Sequence, residues 1–176
     1  IRDSDVQPLL YRFAIPIFLA ICAGFAAADP TSSTKDWEQV GENARARGIP
    51  VVIVVTGNGC GHCERMKSEF LYDPTVQRFL GERALVHVYH ESTGGKLTDF
   101  DGDRIRARMF IDRYEIFATP TLLFLDAEGN PIADPVVGYN DAINYRDLVT
   151  GRLDEAQLAL ATDKDKSGSA IATTHR

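Results

Sequence analysis

Val51-Val52-Ile53-Val54-Val55-Thr56-Gly57-Asn58-Gly59-Cys60-Gly61-His62-Cys63-Glu64 carries the decisive pattern of this 176-residue chain. The unbroken β-branched run is that of a strand buried on both faces. Gly57-Asn58-Gly59 interrupts it, and the stretch from Glu64 to about Tyr72 has helical character. Two cysteines therefore stand where a strand hands over to a helix. The first occupies the positive end of that helix, which stabilises a thiolate. The second lies one turn further in, within reach of a mixed disulfide formed at the first. This context predicts thiol–disulfide exchange by Cys60 and Cys63.

Other uses of a C-x-x-C fit less well. A structural zinc site takes about four ligands, usually including a second cysteine pair. Only Cys22 remains, inside an apolar N-terminal stretch, and His87, His90 and His175 form no pair at i, i+4 spacing. On a strand, His87 and His90 face opposite sides. A c-type haem needs histidine straight after the second cysteine, where this chain has Glu64. No metal or other cofactor is implied. An inert staple fits a helix start poorly, because paired cysteines there are reactive. One different class stays open: a dithiol that binds without reacting, such as a Cu(I) carrier, since soft thiolates suit that ion.

Outward from the dithiol, composition allows one domain. Hydrophobic residues make up 44% of the chain, enough for a core, and the net charge of −6 offers no footprint for nucleic acid. Arg104 to Arg113 reads as one amphipathic helix with a solvated face. At the N-terminus, Phe13 to Phe25 has the length of a signal-peptide h-region, with Arg12 before it and Ala26-Ala27-Ala28 after it as a cleavage signature. Residues 1–28 are expected to be a signal peptide, an uncleaved anchor being the alternative and the only route to a membrane. Residues 29–34 then form a short linker. Removal of the segment leaves Cys60 and Cys63 as the sole thiols, in an oxidising compartment where disulfides persist.

The rest organises as alternating elements. Trp37 to Arg47 has helical spacing and stops before Gly48 and Pro50. A strand over 51–56 and the helix from Cys60 or Gly61 to about Tyr72 follow. Asp73 caps a short helix, Thr75 to Leu80. Ala84 to His90 is a strand, His90 to Asp103 a polar insert, and Arg104 to Arg113 a helix. Strands at 121–125 and 132–137 flank Asp126-Ala127-Glu128-Gly129-Asn130, a hairpin turn. A last helix spans about Ala142 to Leu160, and 161–176 is expected to be a disordered polar tail. This order predicts an α/β fold, a mixed sheet flanked by helices on both faces. Asp163 to Gly168 imitates the start of an EF-hand loop but lacks its glutamate. Asp99, Asp101 and Asp103 read as a solvated loop.

The strand–C-x-x-C–helix unit, Thr119-Pro120-Thr121 before the third main strand, and Gly138 after the last one together resemble thioredoxin-fold proteins over residues 35–160. Asp73-Pro74-Thr75-Val76, Asp99-Phe100-Asp101-Gly102 and Ala118-Thr119-Pro120-Thr121-Leu122 resemble the periplasmic SoxW-type thioredoxins of bacteria. The resemblance implies a thioredoxin-like fold and a periplasmic thiol–disulfide oxidoreductase acting on protein thiols and disulfides, recharged by a separate redox protein. It implies a cis Pro120 beside the dithiol, with Thr119 and Pro120 as the floor on which a substrate strand lies. Cys60 is then the attacking thiolate and Cys63 the buried resolving thiol. Gly61-His62 resembles the disulfide isomerases, and an imidazole at His62 moves the pair toward the oxidising side.

Two residues depart from the family pattern. Val54 replaces the buried acid that assists the resolving thiol, leaving water or a group such as Glu64 as the proton route. Gly59 replaces the tryptophan that often precedes the first cysteine, and with Gly57 predicts a more mobile loop. Reductase, oxidase and isomerase share these residues, so the direction of electron flow stays open.

Overall fold

The computed structural model describes residues 33–173, with side chains to residue 164. Strand alternation lets one apolar run serve two cores. In β1 (Val51–Thr56), Val52 and Val54 point to one face of the sheet and Val51, Ile53 and Val55 to the other, all fully buried. β1 pairs in parallel with β2 (Leu85–His90) and antiparallel with β5 (Thr121–Leu125). β6 (Pro131–Val137) completes the mixed sheet, in the order β2-β1-β5-β6. β1 is thus an interior strand, as its unbroken hydrophobicity requires.

Helices cover both faces. α2 (Gly61–Met66), the π-helical turn Lys67–Leu71, α3 (Pro74–Arg83) and α5 (Ala142–Thr173) pack on the Val52–Val54 side through Met66, Phe70, Leu80, Tyr145 and Leu153. α1 (Trp37–Arg47) and α4 (Ala107–Asp112) pack on the other side through Trp37, Val40, Ala44 and Phe110. The expected α/β architecture is the observed one.

Asp73 starts α3 by accepting the amides of Thr75 at 2.8 Å and Val76 at 3.1 Å, with Pro74 at the first helical position. These bonds, Val76 first, hold its carboxyl below the ordinary aspartate range. The folded state has the lower pKa, so the cap stabilises fully above the unfolded value and is lost as pH falls through the folded one. Asp73→Ala should therefore lower the melting temperature by a few degrees at neutral pH. That gap should close below about pH 4, the range where aspartate protonates. Thermal scans of both proteins across this range check the convergence.

The structure corrects three expectations. Arg104–Arg106 is a strand, β4, paired antiparallel with β3 (Lys96–Thr98), with Leu97 opposite Ile105. Leu97 is buried in the Trp37 cluster with Ile105 against it, and this burial overrides the helical pattern of the run. The insert is thus a hairpin, stitched to the start of α1 by the Thr98 amide donating to the Lys35 carbonyl at 2.8 Å. Asp99, in its turn, is only 3% exposed; it accepts the Phe100 amide and pairs with the Arg113 guanidinium. Desolvation there is offset by charge pairing. Finally, α5 runs past Leu160 to Thr173, so 161–173 is helical rather than a disordered tail. Once Tyr145, Val149, Leu153 and Ala156 dock, the helix is nucleated and each added residue costs little.

The expected signal peptide or anchor, Cys22, residues 29–32 of the linker and residues 174–176 lie outside the described residues. No described helix is long and apolar enough to cross a membrane.

Candidate active site

β1 ends in the loop that delivers the dithiol. Gly59 has φ +64°, a conformation L side chains rarely adopt, and a Cβ there would meet nothing within 4 Å. The missing tryptophan therefore leaves open space. At Gly57 a Cβ would come within 2.6 Å of the Glu91 carboxylate and 2.9 Å of the Thr119 hydroxyl. Glu91 also accepts the Asn58 amide at 3.2 Å, tying to the end of β2 the loop whose glycines predict mobility.

Cys60 and Cys63 form a disulfide with Cα atoms 5.2 Å apart. Cys60 is half-buried and Cys63 fully buried. Cys60 is the N-cap of α2, its Sγ accepting the Cys63 amide at 3.1 Å. An amide donor at the positive end of a helix favours sulfur as an anion. Stabilising that anion stabilises the reduced pair, which makes the disulfide the better oxidant.

The Thr119–Pro120 peptide bond is cis. The Thr119 carbonyl oxygen lies 3.4 Å from Cys60 Sγ. Oxidised sulfur has no proton, so this is a contact; a Cys60 thiol would donate to the same oxygen. Pro120 is buried, and its own carbonyl accepts the Gly138 amide at 2.8 Å. Thr119, Pro120, Cys60 and Cys63, far apart in sequence, therefore meet at one end of the sheet.

His62 is exposed and turns to the loop after β6, with Nδ1 3.1 Å from the Tyr139 carbonyl oxygen. A carbonyl only accepts, so Nδ1 carries the proton in this contact. Sequence reasoning missed what surrounds this contact. Arg65 donates to Glu69 at 3.2 and 3.3 Å and to the Asn140 carbonyl at 3.2 Å. The Tyr139 hydroxyl donates to Glu69 at 2.9 Å. Arg65 holds the Glu69 carboxyl below its usual range. Burial, then the Glu69 bond, pushes the Tyr139 phenol up to about 12. The available signal was the i, i+3, i+7 spacing of His62, Arg65 and Glu69, one stripe of a helix. Its meaning required knowing which loop returns to that stripe.

Val54, at the position of the family's acid, is fully buried in the apolar cluster with Met66 and Phe70. Glu64 is exposed and paired with Lys67 at 2.9 Å.

Residues 37–150 match the family model of the thioredoxin-like domain. The chain belongs to that family. This thioredoxin-like chain is similar to the thiol:disulfide interchange protein DsbD of Yersinia pestis, 26% identical over 103 residues. That alignment covers 58% of this chain and 16% of DsbD, so the chain spans about a sixth of the length of that curated relative. Among solved structures, a thioredoxin-fold protein from Helicobacter pylori has a TM-score of 0.55 at 17% identity, covering 81% of this chain and 96% of its own. A thioredoxin from Thermus thermophilus has a TM-score of 0.51 at 22% identity, over 68% of this chain and 87% of its own. These likenesses show the fold, and the dithiol arrangement within it is that of a thiol–disulfide oxidoreductase.

Proposed function

We propose that this thioredoxin-like chain is an exported, periplasmic reductase that exchanges disulfides with protein substrates through Cys60 and Cys63. The observation that carries the proposal is Cys60 as helix N-cap, with an amide donating to its sulfur and Cys63 buried behind it. In the reductive direction the Cys60 thiolate attacks a substrate disulfide, forming a mixed disulfide and releasing one substrate thiolate. Cys63 gives its proton to water and attacks Cys60 Sγ. That breaks the mixed disulfide, releases the second substrate thiolate and leaves Cys60–Cys63 oxidised. Two electrons have passed to the substrate, and a partner dithiol protein restores the pair.

Thr119 and Pro120 receive the substrate backbone alongside Cys60, and His62 adds to the stabilisation of its thiolate. Water is the proton route because Val54 is apolar and Glu64 is engaged with Lys67. Phe117, 87% exposed on the loop leading to Thr119, supplies an aromatic surface that Gly59 does not. Export rests on the apolar segment 13–25 and the Ala26-Ala27-Ala28 signature.

Cys63→Ala tests the proposal. This variant can complete the first attack but not the second, so it should accumulate mixed disulfides at Cys60 that are absent from wild type and vanish with dithiothreitol. Adduct-free Cys63→Ala, together with stoichiometric Cu(I) uptake by the wild type, would establish the binder instead. The redox potential of the pair against glutathione fixes the direction: a value nearer thioredoxin, about −270 mV, supports a reductase.

A further inference from the structure

We propose that Arg65, Glu69 and Tyr139 form a clasp that positions His62, and that this clasp sets how strongly the Cys60–Cys63 disulfide oxidises. The inference rests on the exchange activity proposed above and concerns residues that do not themselves touch the sulfurs.

An exposed histidine in the first turn of a helix has several rotamers open to it, and one hydrogen bond is worth only about 0.5–1.5 kcal/mol. His62 is held well only if its acceptor is itself held. The acceptor is the backbone oxygen of Tyr139, and three independent contacts fix that residue. Its hydroxyl donates to Glu69 at 2.9 Å, its ring packs edge-on against Tyr145 at 4.9 Å, and the Arg65 guanidinium lies 5.7 Å from its ring centre. Arg65 then takes the next carbonyl, that of Asn140, at 3.2 Å. Two successive carbonyls of the loop thus receive donors from α2, one from His62 and one from Arg65.

The charges around the imidazole are arranged to leave its own charge effective. Arg65 and Glu69 neutralise one another on the helix. Across the loop, Asp141 is occupied by the amides of Ile143 and Asn144 at the start of α5. Tyr139 stays neutral, its phenol raised first by burial and then by the Glu69 bond. What remains is a ring two residues from Cys60, with its Nδ1 fixed on the loop carbonyl. Held in one place, its protonated form stabilises a Cys60 thiolate; swinging in solvent, it does so much less. The clasp therefore favours the reduced pair, and loosening it makes the disulfide a weaker oxidant.

The competing reading is that Arg65–Glu69 is an ordinary surface i, i+4 pair, which contributes little. A double-mutant cycle separates the two. Tyr139→Phe removes only the hydroxyl, and Arg65→Met removes the guanidinium while keeping the stem. Each is equilibrated with glutathione buffers, and Cys60 thiolate formation is followed by ultraviolet absorbance against pH. Each substitution should move the glutathione equilibrium about three- to fivefold toward the protein disulfide, the effect of one hydrogen bond. Each should also move the thiolate titration upward. In a His62→Asn background neither should change anything. Equal shifts in both backgrounds overturn the clasp, as does a lowered melting temperature with an unchanged equilibrium. A wild-type protein that fails to equilibrate with glutathione at all overturns the exchange reading itself, a separate outcome.

Discussion

Cys60→Ser should abolish disulfide exchange, lowering turnover by at least about a thousandfold, or roughly 4 kcal/mol of transition-state stabilisation. Only a thiolate can open a disulfide and hold the substrate through sulfur. A hydroxyl at the same N-cap still accepts the Cys63 amide, so α2 keeps its start while the chemistry is lost. The fold should tolerate the change, because the disulfide closes a very short loop and restricts the unfolded chain little. Cys63→Ala also loses turnover but keeps the first step. The pair of variants is therefore diagnostic: with the prereduced proteins mixed with a protein disulfide and no external thiol, neither releases fully reduced substrate, and only Cys63→Ala traps adducts. Cys60→Ser retaining more than a hundredth of the wild-type rate, or forming adducts through Cys63, would sink the assignment of Cys60 as the attacking sulfur. Assigning that role to Cys60 depends on burial, since Cys63 has no exposed surface from which to meet a large substrate.

What could be read from the sequence follows the range of the forces involved. The 51–56 run is legible as an interior strand because alternation along one strand is local information. The capping of α3 by Asp73 is legible for the same reason. The dithiol is legible because helix-start chemistry lies within four residues. Thr119-Pro120 could be joined to it only through resemblance, since nothing local says that residue 119 comes within 3.4 Å of residue 60. The β3–β4 hairpin was hidden because Arg104–Arg106 looks helical until Leu97 offers Ile105 a buried partner. Asp99 looked solvated until Arg113 met it across the insert. His62 was legible as a charge beside the dithiol, but its tether to the Tyr139 carbonyl belongs to a loop 77 residues away. In each case the missing term is a partner on another element, outside the local pattern.

Trp37→Ala should cost about 3–5 kcal/mol, a large part of the roughly 5–15 kcal/mol that holds a domain together. Trp37 is fully buried, stacked on Phe110 with ring centres 4.9 Å apart and tilted against Phe100 at 5.7 Å. The edge of His87 meets it at 5.8 Å. An alanine would leave a cavity walled by aromatic rings fixed by β2, α4 and the hairpin, which cannot all move in together. Trp37→Phe should be much milder than the loss of ring volume suggests. Among the described residues the indole N–H has no hydrogen-bond partner, so phenylalanine removes a buried donor that none of them satisfies along with the extra ring. Urea unfolding followed by circular dichroism measures both variants; fluorescence does not serve, since Trp37 is the chain's only tryptophan. Redox equilibrium supplies the second readout. Trp37 packs on the α1–α4 side of the sheet, whereas α2 and Met66 belong to the opposite cluster. Folded Trp37→Phe should therefore match the wild-type equilibrium with glutathione. A shift there of more than about twofold, well under one hydrogen bond's worth, would mean that the two faces are coupled through β1.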